Sequence, residues 1–158
     1  MRLNYLGHSC FLIEAPQGRL LIDPFLTHNP SAAVSAAEVA CDFILLSHGH
    51  DDHVGDAAAI SKRTGAPVIC NFELSEFLSA QGVKVEGLNP GGGADFPFGR
   101  VKLTIAHHSS SQVETGGKIT YLGSPCGLLI HIGGKVLYKT EDLDSFIKLY
   151  ELKSGGLA

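Results

Sequence analysis

Runs of basic residues are missing from this chain: none is longer than the pair Lys62-Arg63, and the net charge is -4. Without a basic stripe there is nothing to follow a phosphate backbone, so nucleic acid is excluded as the expected partner. Long apolar runs are missing too. No stretch approaches the roughly 20 apolar residues of a membrane span, and Met1 to His8 lacks the extended apolar core of a signal peptide. The expectation is a cytoplasmic protein with no membrane partner. The four cysteines, Cys10, Cys41, Cys70 and Cys126, are widely spaced, form no C-x-x-C and sit beside or within apolar runs. They read as small buried thiols rather than as disulfides or a thiolate zinc knuckle. There is also no internal repeat and no low-complexity tract.

What is present fits one domain over residues 1–158, with 44% hydrophobic residues for a sizeable core and 18% charged residues for a soluble surface. Leu3 to Leu6, Cys10 to Glu14 and Arg19 to Ile22 read as a meander of short antiparallel strands that stops at Asp23-Pro24. The Ala-rich segment Ala32 to Val39 is expected to be helical. Phe43 to Leu46 is an apolar run of strand length, followed by alternating segments. These are a helix over Gly55 to Arg63 closed by Gly65, a strand over Pro67 to Cys70, a helix over Glu73 to Ala80 closed by Gly82, and a strand over Val83 to Val85. This alternation is α/β. Val101 to Ile105 alternates like a half-buried strand, Cys126 to Ile132 and Lys135 to Tyr138 form a hairpin around Gly133-Gly134, and Asp142 to Leu152 has apolar residues at roughly helical spacing.

His48-Gly49-His50-Asp51-Asp52-His53 leaves the end of the buried strand Phe43 to Leu46 with three imidazoles and two carboxylates in six residues. With eight His and eight Asp in the chain, chance H-x-H-x-D-H has odds on the order of one in a thousand. In an extended segment His48 and His50 point to one side, about 6–7 Å apart, close enough for both rings to lean onto one divalent cation. Asp52 and His53 turn a second edge toward it, so the six residues can serve two metals. A third ligand for the first site is sought in Ala106-His107-His108-Ser109-Ser110-Ser111, also at a strand end. Adjacent residues on a strand face opposite ways, so one of His107 and His108 points at the site, and His108 is the preferred one.

These residues carry a family resemblance. His48 to His53, together with Tyr5 to Glu14, Leu21 to Leu26, Ala66 to Glu73, His108 to Ser111 and Tyr121 to Gly127, resembles the metallo-β-lactamase superfamily. The likeness is to its branch of small metal-dependent hydrolases similar to L-ascorbate-6-phosphate lactonase. The resemblance implies an αββα sandwich with two metals at one end of its sheets and a metal-activated water that attacks a carbonyl or phosphoryl centre. His48, His50 and His108 match ligands of the first metal, and Asp52 and His53 match ligands of the second. Asp52 is also the candidate catalytic residue that orients the water and accepts its proton. Asp23 matches an early Asp that braces the metal loop through hydrogen bonds, the alternative being an ordinary Asp-Pro turn. His8 is placed on the rim, against substrate, or is a turn residue with local hydrogen bonds only.

The chain departs from that family where His-Ala-Gly-Asp-Thr is expected, reading Lys139-Thr140-Glu141-Asp142-Leu143. Only Asp142 falls on the pattern, either as a metal ligand or as the N-cap of a terminal helix. The chain ends at Ala158, so it is expected to be the N-terminal part of the fold, without much of its second half or the last histidine of the second metal site. The ligand count implies one firmly held divalent cation, Zn²⁺ or Mn²⁺, and a weaker second; ligand type also suits Fe²⁺. Half a sandwich would expose a broad apolar face, so a homodimer or higher homo-oligomer is expected, with the Asp142 to Leu152 helix exchanged between copies. The leading functional expectation is a metal-dependent hydrolase of a small ester, lactone or phosphorylated metabolite. Its rival is a non-catalytic, oligomeric metal-binding or interaction remnant of the fold.

Overall fold

The computed structural model describes residues 1–139 and the backbone of 147–151. Two β-sheets lie face to face, with helices against the outer side of the first. The first sheet has six strands in chain order: β1 (Arg2–Gly7), β2 (Cys10–Ala15), β3 (Gly18–Ile22), β4 (Phe43–Leu45), β5 (Val68–Asn71) and β6 (Val85–Leu88). β1, β2 and β3 are antiparallel, whereas β3 to β6 run parallel. Burial on both faces explains why β4 and β5 are almost entirely apolar. Ile44, Leu46, Val68 and Cys70 pack on the helix side, while Leu45 and Ile69 pack on the other.

Among the described residues three helices cover the outer side: the single turn α1 (Asp51–Val54), α2 (Ala57–Thr64) and α3 (Phe72–Ser79). α2 ends at Gly65, whose φ of 79° is the left-handed conformation a helix terminus favours in glycine. α3 starts at Asn71, whose side chain accepts a hydrogen bond from the Leu74 N–H at 2.9 Å. The helix expected from Gly55 in fact follows a separate turn that begins at Asp51, and the strand expected over Val83 to Val85 starts at Val85.

The second sheet is ordered β13-β12-β11-β8-β7, from β7 (Gly93–Phe96), β8 (Gly99–Ile105), β11 (Cys126–Ile132), β12 (Lys135–Lys139) and β13 (Ile147–Glu151). A separate hairpin, β9 (Ser111–Val113) and β10 (Ile119–Tyr121), joins β8 to β11. The inner faces of the two sheets share one core, in which Phe11, Ile13, Leu20 and Ile22 meet Val101, Leu103, Leu128, Ile130 and Leu137. The chain thus supplies both sheets of the sandwich itself. The first sheet's inner face is covered by the second sheet.

Two expected helices fail. Over Ala32 to Val39 the backbone makes only one turn, with Glu38 and Val39 N–H groups on the Ser35 carbonyl, while the Ala33 N–H bonds to Leu6 in the first hairpin at 3.1 Å. Alanine's helix propensity is small enough to yield to such tertiary bonds. Residues Ile147–Glu151 form β13, paired antiparallel to β12 from Lys139↔Ile147 to Lys135↔Glu151. Ile147 and Leu149 suit a period of two as well as a helical one, and pairing satisfies the open edge of β12. Asp142, the start of that expected helix, lies outside the described residues. Among the described residues no helix is long and apolar enough to cross a membrane.

All four cysteines are buried and unpaired. Burial pushes the Cys41 and Cys126 thiols up to about 11, and those of Cys10 and Cys70 are raised by the same cause. A disulfide-exchange reagent in mildly alkaline buffer is therefore expected to titrate none of the four within minutes in native protein and all four in concentrated guanidinium. A thiol that reacts fast without denaturant would contradict this burial.

Candidate metal centre

The site gathers at the carboxyl ends of β3 and β4, where the chain leaves the parallel part of the first sheet and the second sheet approaches. Asp23 follows β3 and is held to β4 by its own N–H on the Leu45 carbonyl at 3.0 Å. Ser47 and the histidine motif follow β4, and the Cys126 N–H at the start of β11 bonds to the Ser47 carbonyl at 2.9 Å. The two sheets are thus pinned together beside the motif.

Asp23 is fully buried and bonds on every side. Its Oδ1 accepts the Ser47 N–H at 2.8 Å, and its Oδ2 accepts the Ser47 hydroxyl at 2.6 Å and His53 Nδ1 at 2.9 Å. The same Oδ2 receives the Lys139 ammonium, itself 1% exposed. Burial opposes ionisation of this carboxyl, but Lys139 and the His53 hydrogen bond prevail and hold it below the usual carboxylate range. Asp23 also sits at φ 43°, a left-handed conformation that a non-glycine residue adopts only when its surroundings enforce it. Asp23 is therefore a brace rather than a simple turn residue.

That brace sets the imidazole tautomers. Donating Nδ1–H to Asp23 leaves His53 Nε2 with a free lone pair. Because the Ser47 hydroxyl gives its proton to Asp23, it accepts from His48 Nδ1 at 3.0 Å, and His48 Nε2 is bare as well. His48 Nε2 lies 3.0 Å from His50 Nδ1, and His50 Nε2 lies 3.1 Å from the Ser109 hydroxyl. Burial first, then His53 nearby, pushes the His48 pKa down to about 2, so its ring is neutral at ordinary pH.

His48, His50 and His108 each offer a nitrogen within 4.8 Å of the others. The His108 ring centroid lies 4.8 Å from that of His48 and 5.0 Å from that of His50. His107 belongs to neither metal-capable group. A second group with the same 4.8 Å spread consists of His8, Asp52 and His53. In it His8 Nε2 is 3.2 Å from Asp52 Oδ2, and the His8 ring meets Phe25 edge-on at 5.7 Å. His8, expected on the rim, thus stands among possible ligands, while Asp142 lies outside the described residues. Lys139 was missed, although its phase with inward Leu137 on β12 marks it as facing the core.

Two small residues keep the loop in place. The Gly49 N–H donates to the Ser110 hydroxyl at 3.0 Å, which donates in turn to the Leu122 carbonyl at 3.2 Å. A Cβ on Gly49 would stand 2.5 Å from the Leu122 Cβ. Gly49→Ala is expected to cost about 1–3 kcal/mol by overpacking and to splay His48 from His50, read as a lower melting temperature and weaker metal retention.

The family model of the metallo-β-lactamase superfamily matches residues 3–138. The chain belongs to that superfamily. It is 48% identical over 153 residues to a UPF0173 metal-dependent hydrolase of Carboxydothermus hydrogenoformans, covering 97% of this chain and 66% of that protein. A UPF0173 metal-dependent hydrolase of Heliobacterium modesticaldum is 46% identical over 142 residues, covering 90% and 59% respectively. The chain thus spans less than two-thirds of these relatives' length. Among solved structures it resembles Igni18, a metallo hydrolase of Ignicoccus hospitalis, with a TM-score of 0.73 and 34% identity, over 86% of this chain and 58% of that one. The fold also matches an isothiocyanate hydrolase from Delia radicum gut bacteria at a TM-score of 0.63 and 20% identity, over 87% and 61%.

Proposed function

We propose that this superfamily member is a metal-dependent hydrolase acting on a small ester, lactone or phosphorylated metabolite. The observation that carries the reading is the convergence of His48, His50 and His108 from two distant segments, with His48 Nε2 left bare by the Ser47-Asp23 relay. Three imidazoles whose ring nitrogens converge are a donor set that fits a borderline divalent cation, Zn²⁺ or Mn²⁺. When bound there, such a cation acidifies a water and polarises the bond under attack.

The chain's own residues do the rest. His48, His50 and His108 hold the first cation, while His53 and Asp52, with His8 beside them, form a second and weaker set. Asp52 is half exposed, at 49% of its side chain, and its carboxylate orients the attacking water and takes its proton. No serine or cysteine nucleophile is needed, and the buried, protonated thiols are unsuited to that role. A cavity of about 330 Å³ lies between Phe25, Thr27, His28, Asp51 and Gln112, next to α1. Its size suits a small substrate, and its lining mixes polar side chains with the Phe25 ring.

The test is elemental analysis of metal per chain together with hydrolysis of a panel of lactones and phosphodiesters, for wild type and His50→Ala. Turnover that requires metal and disappears in His50→Ala supports the hydrolase. Metal bound without turnover of any panel member supports the rival reading, a metal-binding remnant of the fold.

A further inference from the structure

Lys139 has no part in that chemistry, yet it is one of the largest fully buried side chains among the described residues. It ends β12 on the inward face, two residues after Leu137 and opposite Leu128 on β11. A lysine in such a position costs free energy unless paired, and its partner is Asp23 Oδ2, the atom that also receives His53 Nδ1. The two candidate metal groups differ in what stands behind them. The first is three imidazoles, with His48 reaching Asp23 only through Ser47. The second contains His53, which bonds to Asp23 directly. A carboxylate behind a ligating imidazole ordinarily strengthens it as a donor and lends negative charge to the cation it holds. Here that charge is already matched by an ammonium on the same oxygen, inside the sandwich where water screens little.

We propose that Lys139 is a positioning residue that sets the metal stoichiometry: by neutralising Asp23 behind His53 it weakens the His8, Asp52 and His53 group for a cation and leaves the His48, His50 and His108 group as the firm site. The charge count agrees. Among the described residues Asp52 is the only carboxylate of the two groups, and Asp23 with Lys139 adds nothing to it. This inference rests on the hydrolase reading above for its cation, and it goes beyond that reading in assigning the order of the two sites to a buried lysine.

The experiment is equilibrium dialysis of metal-free protein against Mn²⁺ and Zn²⁺, with chelator competition to resolve successive steps. Wild type, Lys139→Met and Lys139→Arg are compared, each checked for fold by circular dichroism. Wild type is expected to bind a second equivalent at least ~10-fold more weakly than the first, the scale on which supporting contacts tune metal affinity. Lys139→Met tightens the second step by roughly tenfold and leaves the first nearly unchanged, whereas Lys139→Arg keeps the wild-type gap because it keeps the charge. Lys139→Gln, which retains a donor for Asp23 but no charge, is carried in its place if Lys139→Met does not hold its fold, with the same narrowing expected. Equal first and second steps in wild type, or an unchanged gap in a folded charge-removing variant, overturn the inference alone. Wild type that takes up no cation overturns it together with the hydrolase reading.

Discussion

His108→Ala is expected to strip the protein of firmly bound metal and of activity, while His107→Ala leaves both as they were. Loss of a supporting hydrogen bond to a ligand costs roughly 10–100-fold in metal affinity, and loss of a ligand itself costs more. His108 is the one nitrogen of the first group that comes from outside the motif, so without it His48 and His50 form an open pair. The side chain is exposed, so its removal creates no cavity and the melting temperature of metal-free protein should hardly move. Metal content after dialysis against a weak chelator, alongside turnover of whichever panel substrate wild type hydrolyses, reads the result. Equal metal retention by wild type and His108→Ala would remove His108 from the site, and a loss in His107→Ala would exchange the two neighbours.

The largest effect on stability is expected from Asp23→Ala. It leaves the Lys139 ammonium buried without its counter-charge and takes the acceptor from His53 and both Ser47 donors. Breaking a buried ion pair by removing one partner costs about 3–5 kcal/mol, which for a domain of this size lowers the melting temperature by roughly 10 °C. Removing Lys139 as well, in Asp23→Ala/Lys139→Met, should restore much of the loss, because no uncompensated charge then remains in the core. A double variant as unstable as the single would show that the pair is not the source. The pH dependence has a definite sign. The Asp23 carboxyl is held below its ordinary value by Lys139 and His53 against the cost of burial. Its contribution is therefore complete above the unfolded carboxyl pKa of about 3.9 and is lost as pH falls through the lower folded value. Acid titration of wild type should show that loss, and Asp23→Ala should lack it.

The histidine motif, the strand before it and the glycine-terminated helices were legible because their signals are local. A strand of four apolar residues and a helix closed by Gly65 need only neighbours in sequence to be read. The Ala32 to Val39 segment misled because propensity for helix is weak, and the Ala33 N–H found a partner in β1 instead. Residues 147–151 misled because short apolar runs fit two periods, and the unpaired edge of β12 chose between them. Strands beyond the first sheet were underread for a similar reason. β7, β9 and β10 are short and half exposed, with little alternation to mark them.

By itself the sequence determined the superfamily, the strand end from which the motif leaves, and the residue types that can hold a cation, because ligand chemistry and spacing within six residues are written in order along the chain. Only the tertiary structure decided that His108 rather than His107 closes the first group, that His8 joins Asp52 and His53, and that Lys139 lies on Asp23. Each of these is a contact between segments far apart in the chain, made when the inner faces of two sheets bury a common core. Packing, not pattern, brought a lysine from the end of β12 to the carboxylate that braces the histidines.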